Sequence, residues 1–287
     1  MMFSVIFAFS CNKDKEEELP DGYNFTLMSF NIRQDTMFDG NNRSWKNVRK
    51  NLVINYLLEK SADIICLQEV KENQAEDLKE GLKDVYNIVW YPRTTDGSDS
   101  EGLAVAYKLD KFNYLEETRF WLSENPEKQS KGWSAIYYRI SVMVSLQIKD
   151  KDIIFDVYST HLDAYNVKAR NEGIKVVVDK IAERGNVSIV CGDFNTTKDN
   201  ESAECYTYIS TSMDDAQQVA KDSDSGITYQ DFGNGGTFDD SIDFEFLTKN
   251  NFYVKSFKIL RDTYIDGDTE IYYSDHYAIM SDVIYKY

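Results

Sequence analysis

Short apolar runs separated by charged or turn-rich stretches recur along the chain, and their periodicity alternates between that of a strand and that of a helix. FTLMSFNI (25–32), ADIICLQE (62–69), YNIVWY (86–91) and LAVAYK (103–108) read as strands. YYRISVMVSLQI, a tight KDKD turn and IIFDVYSTHL read as a long hairpin over 137–162, and NVSIVCGDFN, SIDFEFL, FYVKSFKIL and YAIMSDVIY supply further strands. RSWKNVRKNLVINYLLEK carries Trp45, Val48, Leu52 and Leu57 or Leu58 near helical spacing, and ENQAEDLKEGLKDVY is a more polar helix. NVKARNEGIKVVVDKIAERG is a third, with Gly185 placed as its C-cap, and a fourth lies around ESAECYTYI. TTDGSDSEG, SENPEKQSKGW and DSGITYQDFGNGGTFDD are loops. Strands and helices alternate from about residue 25 to 287 with no linker, repeat or low-complexity break. The expected fold is one α/β domain, two sheets packed face to face with helices outside.

The N-terminus breaks this pattern. MMFSVIFAFS is too short an apolar run to span a bilayer, which takes about 20 residues, and suits a signal-peptide core. It ends at Cys11, followed by the charged NKDKEEELPDG. Residues 1–11 resemble a bacterial lipoprotein signal ending at a lipidated cysteine, although Phe9 and the missing basic segment depart from that pattern. This implies an acidic tether over 12–24 and a lipid-anchored protein outside the cytoplasm, on a bacterial envelope or surface. The remaining cysteines, 66, 191 and 205, have no zinc-site or disulfide-framework spacing.

A hydrophobic content of 42%, with 14% aromatic residues, is enough for a packed core, so disorder is excluded for most of the chain. The net charge of −17 weighs against a binding mode that neutralises many phosphates, which needs basic patches.

Polar residues gather at the ends of apolar strands: Asn31, Glu69, His161, and Asp193 with Asn195. Asp243 is flanked by apolar residues, and Asp275 with His276 opens the last strand. Such positions are where a rigid scaffold displays catalytic groups. Both of the chain's two histidines are among them. Glu69, Asp275 and Asn31, with Asp193 and Asn195 on the other side, offer oxygen ligands that suit a hard divalent cation, Mg²⁺, with Mn²⁺ and Ca²⁺ as alternatives. A magnesium site implies a phosphate-like partner, and histidines beside acids can stabilise phosphoryl oxygens or move protons.

SFNIR, LQEV, THLD, GDFN, SIDF and SDHYAI, in that order, resemble the endonuclease/exonuclease/phosphatase superfamily, whose members include deoxyribonucleases, abasic-site endonucleases and sphingomyelinases. The resemblance runs from about Phe25 to Tyr287 and implies a four-layer α/β/β/α sandwich with two packed mixed sheets. It implies that Asn31 places the scissile phosphate, Glu69 is the principal metal ligand and Asp275 completes the metal region. Asp193 would orient or deprotonate the attacking water with Asn195 beside it. His276, oriented by Asp243, and His161 would contact the phosphoryl oxygens. Arg139 lies where related members keep a phosphate-binding arginine, and Glu101 where they keep the acid partner of the first histidine.

The resemblance implies a Mg²⁺-dependent phosphoric-ester hydrolase acting as a monomer, with phosphodiester cleavage, nucleic acid included, as the leading expectation. The alternative is a phosphatase or sphingomyelinase-type enzyme acting on a nucleotide, an inositol phosphate, another small phosphorylated molecule or a lipid headgroup. Val70 and Lys71 follow Glu69, and Ser100 precedes Glu101, where deoxyribonuclease-like members keep DNA-contacting residues, which weighs against double-stranded DNA. A catalytically silent surface binding protein is the rival class, but such a chain should have lost ligands, and none of the core positions is lost here.

Overall fold

The computed structural model describes residues 19–98, 100–200 and 204–287. The lipoprotein-type segment, Cys11 and most of the expected tether lie outside the described residues.

In chain order the elements are β1 (Gly22–Asn31), a π-helical turn (Trp45–Arg49) running into α1 (Lys50–Lys60), β2 (Ile64–Val70), α2 (Glu72–Leu82), β3 (Tyr86–Pro92), β4 (Gly102–Lys108) and β5 (Phe112–Trp121). There follow β6 (Ile140–Ile148), β7 (Ile154–His161), α3 (Val167–Arg184), β8 (Ser188–Asp193), α4 (Glu204–Ser210), β9 (Met213–Asp215), α5 (Ala216–Val219) and β10 (Asp222–Ser223). The chain closes with β11 (Asp243–Thr248), β12 (Phe252–Leu260), a small hairpin of β13 (Tyr264–Asp266) and β14 (Thr269–Ile271), and β15 (Ala278–Lys286).

The strands form a seven-stranded sheet, β10-β12-β15-β1-β2-β4-β3, and a six-stranded sheet, β5-β6-β7-β8-β11-β9. Both are mixed: β1 runs parallel to β2 and antiparallel to β15, and β8 runs parallel to β7 and antiparallel to β11. Side-chain alternation explains the layering, because successive residues of a strand face opposite sides. Phe25 and Leu27 of β1, Cys66 of β2, Val105 of β4 and Cys191 of β8 point into the core between the sheets. Their neighbours Met28, Ile65, Leu67 and Ala104 point outward, under Val53 and Leu57 of α1 and Leu78 of α2. On the far side Val190, Met143 and Phe246 pack under Ile174 and Val177 of α3 and Ile209 of α4. Burial on both faces is why these strands read as nearly continuous apolar runs. The result is the expected four-layer α/β/β/α sandwich.

Several boundaries differ from the sequence expectation. β1 starts at Gly22, so three residues assigned to the tether are strand. The final strand begins at Ala278 rather than at Asp275, and His276 makes an isolated bridge to Tyr229. β5 was not anticipated, because it is the edge strand of its sheet and leaves Asn113 to Glu116 exposed. Gly185 does cap α3, at φ +71°.

One buried acid lies away from the strand ends. Glu245 of β11 is fully buried, accepts a hydrogen bond from Ser281, and burial pushes its carboxyl up to about 8. Its proton is therefore held in the folded state above the pH at which the unfolded chain releases it, so stability falls as pH rises from the ordinary carboxylate range to about 8. Glu245→Gln removes this loss. Thermal melts should show the variant gaining about 3 °C or more over wild type at pH 8 relative to pH 5. An equal difference at both pH values would rule out a titrating Glu245.

Candidate active site

Strand register places three of the polar residues side by side. His161 ends β7, Asp193 ends β8 and Asp243 begins β11; His161 pairs with Asp193, and Asp193 with Asp243. From the opposite sheet, Asn31 at the end of β1 donates from Nδ2 to Asp193 Oδ2 at 3.0 Å and to Glu69 Oε1 at 3.3 Å. Its Oδ1 accepts from the Arg33 amide at 3.0 Å. Asn31 is thus the bridge across the mouth of the sandwich. Glu69 sits where β2 slips register against β4, at φ +61°. A bulge of this kind re-aims a side chain at the cost of backbone strain. Asn195 is similarly left-handed, at φ +53°; its amide N–H donates to Asp193 Oδ1 at 2.8 Å and its side chain donates to the Leu162 carbonyl.

The two histidines have opposite electrostatics. His276 shares a 2.9 Å hydrogen bond through Nδ1 with Asp243 Oδ2, and its Nε2 lies 3.7 Å from Asp193 Oδ2. Burial opposes the charged imidazole, but Asp243 first, then Asp193 and Asp275, raise it to about 10. His161 Nε2 lies 3.5 Å from the same Asp193 oxygen. Its expected acid, Glu101, is 3.9 Å from Nδ1, beyond hydrogen-bond distance. Glu101 is instead held by Arg93, by Arg139 at 3.0 Å and by the Gln34 side chain at 3.1 Å. Burial, with Arg139 and Arg93 nearby, keeps the His161 pKa well below its ordinary value. Asp193, between the two rings, is pushed up to about 7, by burial and by Asp243, against the pull of His276.

Glu69 and Asp275 face one guanidinium. Arg33 Nη1 lies 4.0 Å from Glu69 Oε2 and 3.6 Å from Asp275 Oδ2, while Nη2 pairs with Asp39 at 2.9 Å. Burial favours the neutral Glu69, but Arg33, the Gln34 amide, His276 and Asn31 bring its pKa below the ordinary value. Asp275 is raised by burial and by Glu69, despite His276 and Arg33. Two oxygen-only acids, one destabilised by the other's charge, fit a hard divalent cation. Asp193, Asp243 and His276 also bring one ligating atom each within 4.8 Å of one another. The Asp243 Oδ2 and the His276 Nδ1 of that group are already engaged with each other.

These groups line one cleft of about 570 Å³, together with Tyr137, Tyr165, Tyr229 and Phe238. Asn31 and Asp243 lie beneath it, reaching it through Glu69, Asp193 and His276. All the sequence-derived candidates therefore converge. Arg33, Gln34, Arg93 and Tyr229 were not foreseen. Arg33 stands inside SFNIR and Arg93 directly follows β3, so both occupy the strand-end positions that singled out the acids.

Residues 28–276 match the model of the Endonuclease/Exonuclease/phosphatase family. Curated relatives include protein angel homolog 2 of Bos taurus, 23% identical over 230 residues that cover 66% of this chain and 40% of that protein. The CCR4-Not complex 3'-5'-exoribonuclease subunit Ccr4 of Candida albicans is 26% identical over 218 residues, covering 62% of this chain and 28% of that protein. The chain thus spans less than half the length of these curated relatives. Among solved structures, the mannosyl-6-phosphatase of Bacteroides thetaiotaomicron VPI-5482 superposes with a TM-score of 0.83 at 27% identity, covering 91% of this chain and 100% of that one.

With two histidines in the chain, nitrogen-15 NMR of the metal-free protein reads each imidazole separately. His276 should be cationic at pH 8 and His161 neutral at pH 6. Asp243→Asn should lower the His276 midpoint by at least about one pH unit, since a neighbouring carboxylate is worth that much. A wild-type His276 that deprotonates below pH 7 would contradict the pairing.

Proposed function

Because the chain belongs to the endonuclease/exonuclease/phosphatase family, we propose that it is a Mg²⁺-dependent hydrolase of phosphoric esters whose substrate is a small phosphorylated molecule, a sugar phosphate in the first instance. The observation that carries the hydrolytic reading is the position of Asp193 Oδ2, 3.5 and 3.7 Å from the two imidazoles and 3.0 Å from Asn31.

Glu69 and Asp275 would hold the divalent cation, which supplies positive charge to the phosphoryl oxygens. A carboxyl raised to about 7 suits a base working near neutral pH, so Asp193 would take the proton of the attacking water. Asn31 fixes its orientation. His276, kept charged by Asp243, would stabilise negative charge on the phosphoryl group, and neutral His161 would donate a hydrogen bond to it. Arg139, directly ahead of β6 and beside Glu101, adds a cation to the same cleft.

Two facts favour a small substrate over a polynucleotide. The charge of −17 opposes a long polyanion. The structural likeness to a mannosyl-6-phosphatase takes in the whole of that chain at a TM-score of 0.83 and 27% identity, and the sequence match to the exoribonuclease relative takes in 28% of that protein. Phosphodiester cleavage remains the second reading, on the strength of that relative. A lipid on Cys11 would place the activity outside the cytoplasm.

A hydrolysis screen over hexose phosphates, inositol phosphates, nucleotides, RNA, DNA and sphingomyelin, with Mg²⁺ and with chelator, tests the reading. Hexose phosphates should lead, and chelator should abolish turnover. Glu69→Ala should remove Mg²⁺-dependent activity without unfolding the protein, and Asp193→Asn should lower kcat about 10²–10⁴-fold with a smaller effect on KM. Full activity in chelator or in Glu69→Ala would sink the metal assignment. An Asp193→Asn variant that changes only KM would move Asp193 to binding.

A further inference from the structure

The cleft extends beyond the phosphoryl-contacting groups, and its rim carries a pair of exposed aromatic rings that the hydrolytic chemistry does not use. Tyr137 is 41% exposed and Tyr165 67% exposed, yet both line the cleft that holds Arg139, His161 and Asp193. Their ring centroids are 6.2 Å apart with the planes inclined by 49°. Large apolar surface left open beside a reaction centre marks a ligand contact more readily than chance exposure does.

Both rings sit on well-tied backbone. Tyr137 follows two left-handed residues, Trp133 at φ +48° and Ser134 at φ +66°. The Asn166 side chain donates to the carbonyls of both, at 3.0 and 3.4 Å, which joins this loop to the one carrying Tyr165. In that second loop Asp163 Oδ1 accepts from the backbone N–H of Tyr165 at 2.9 Å and of Asn166 at 2.7 Å. Beneath Tyr137 the Arg93 guanidinium lies 4.8 Å from the ring centroid, and Arg93 is itself paired with Glu101. A strained, cross-linked loop that holds rings in solvent is organised for something outside the chain.

We infer that Tyr137 and Tyr165 form the leaving-group subsite, which receives the pyranose ring of a sugar phosphate while the phosphoryl group lies among Asp193, His161 and His276. This rests on the phosphoester-hydrolase reading above. Two inclined tyrosines expose apolar ring faces and two phenolic hydroxyls, matching a saturated ring with an apolar face and a hydroxylated edge. They do not make the parallel slot that a flat nucleobase would fill. The pair is thus assigned to specificity rather than to catalysis.

The test compares wild type with Tyr137→Ala, Tyr165→Ala and the two Tyr→Phe variants. It measures KM for mannose 6-phosphate and for AMP, and Ki for inorganic phosphate, which probes the phosphoryl pocket alone. Each alanine variant should raise the mannose 6-phosphate KM about tenfold, leave the phosphate Ki within about twofold, and be partly rescued by phenylalanine, which keeps the ring face and loses the hydroxyl. An unchanged KM, or a KM and Ki that rise together, overturns the subsite. A selective loss confined to AMP overturns the sugar assignment in favour of a base. A wild type that hydrolyses no phosphoester defeats the hydrolase reading itself, a result separable from every outcome of the tyrosine variants.

Discussion

Burial of carboxyl groups at one end of the sandwich is the constraint on which the site depends. Glu101, Asp193, Asp243 and Asp275 are each at most 6% exposed, and Glu69 is little more open. Charges withdrawn from water must be paired or neutralised. The cations are distributed unevenly. Arg93 and Arg139 pair with Glu101, and burial together with these two cations keeps His161 neutral even with Asp193 3.5 Å away. Asp243 takes His276 and makes it a cation. Among the described residues no arginine is ion-paired with Asp193, and burial and Asp243 push its carboxyl up toward neutrality. Division of labour among similar side chains thus follows from which acid has which cation.

The fold makes this distribution reproducible. Strand register, rather than loop conformation, sets His161, Asp193 and Asp243 abreast, and Asn31 spans the gap between the sheets. Where regular strand geometry would misdirect a side chain, the backbone departs from it: Glu69, Arg33 and Asn195 all have positive φ. Left-handed backbone at non-glycine residues is costly and persists where the surroundings over-determine it. Here those surroundings are two sheets with apolar packing on both faces.

Much of this was legible in the sequence because burial and periodicity write directly into residue type. Leu27 and Met28, or Val190 and Cys191, lie on opposite faces of their strands and inside different cores. The acids and histidines stood out because polar groups interrupt those runs at their ends. The arginines did not, since a cation at a strand end is ordinarily solvated, and only the fold reveals that Arg33 and Arg93 turn inward. β5 was invisible because its outer residues, among them Tyr114 and Leu115, are exposed and do not alternate. The bridge from Tyr229 to His276 joins residues far apart in sequence, so nothing local distinguished the SDH segment from the strand that follows it.

If cation placement governs the site, Asp243 acts mainly through His276, the ring it is bonded to, and the two should behave nearly as one unit. The direct measurement is a double-mutant cycle on kcat/KM with Asp243→Ala, His276→Ala and both together, using a phosphoester that the wild type hydrolyses in saturating Mg²⁺. The account predicts that the double variant is little worse than either single one, since groups that function as a unit are strongly non-additive. Losses that multiply as independent factors would contradict it, and would separate Asp243 from the chemistry of His276.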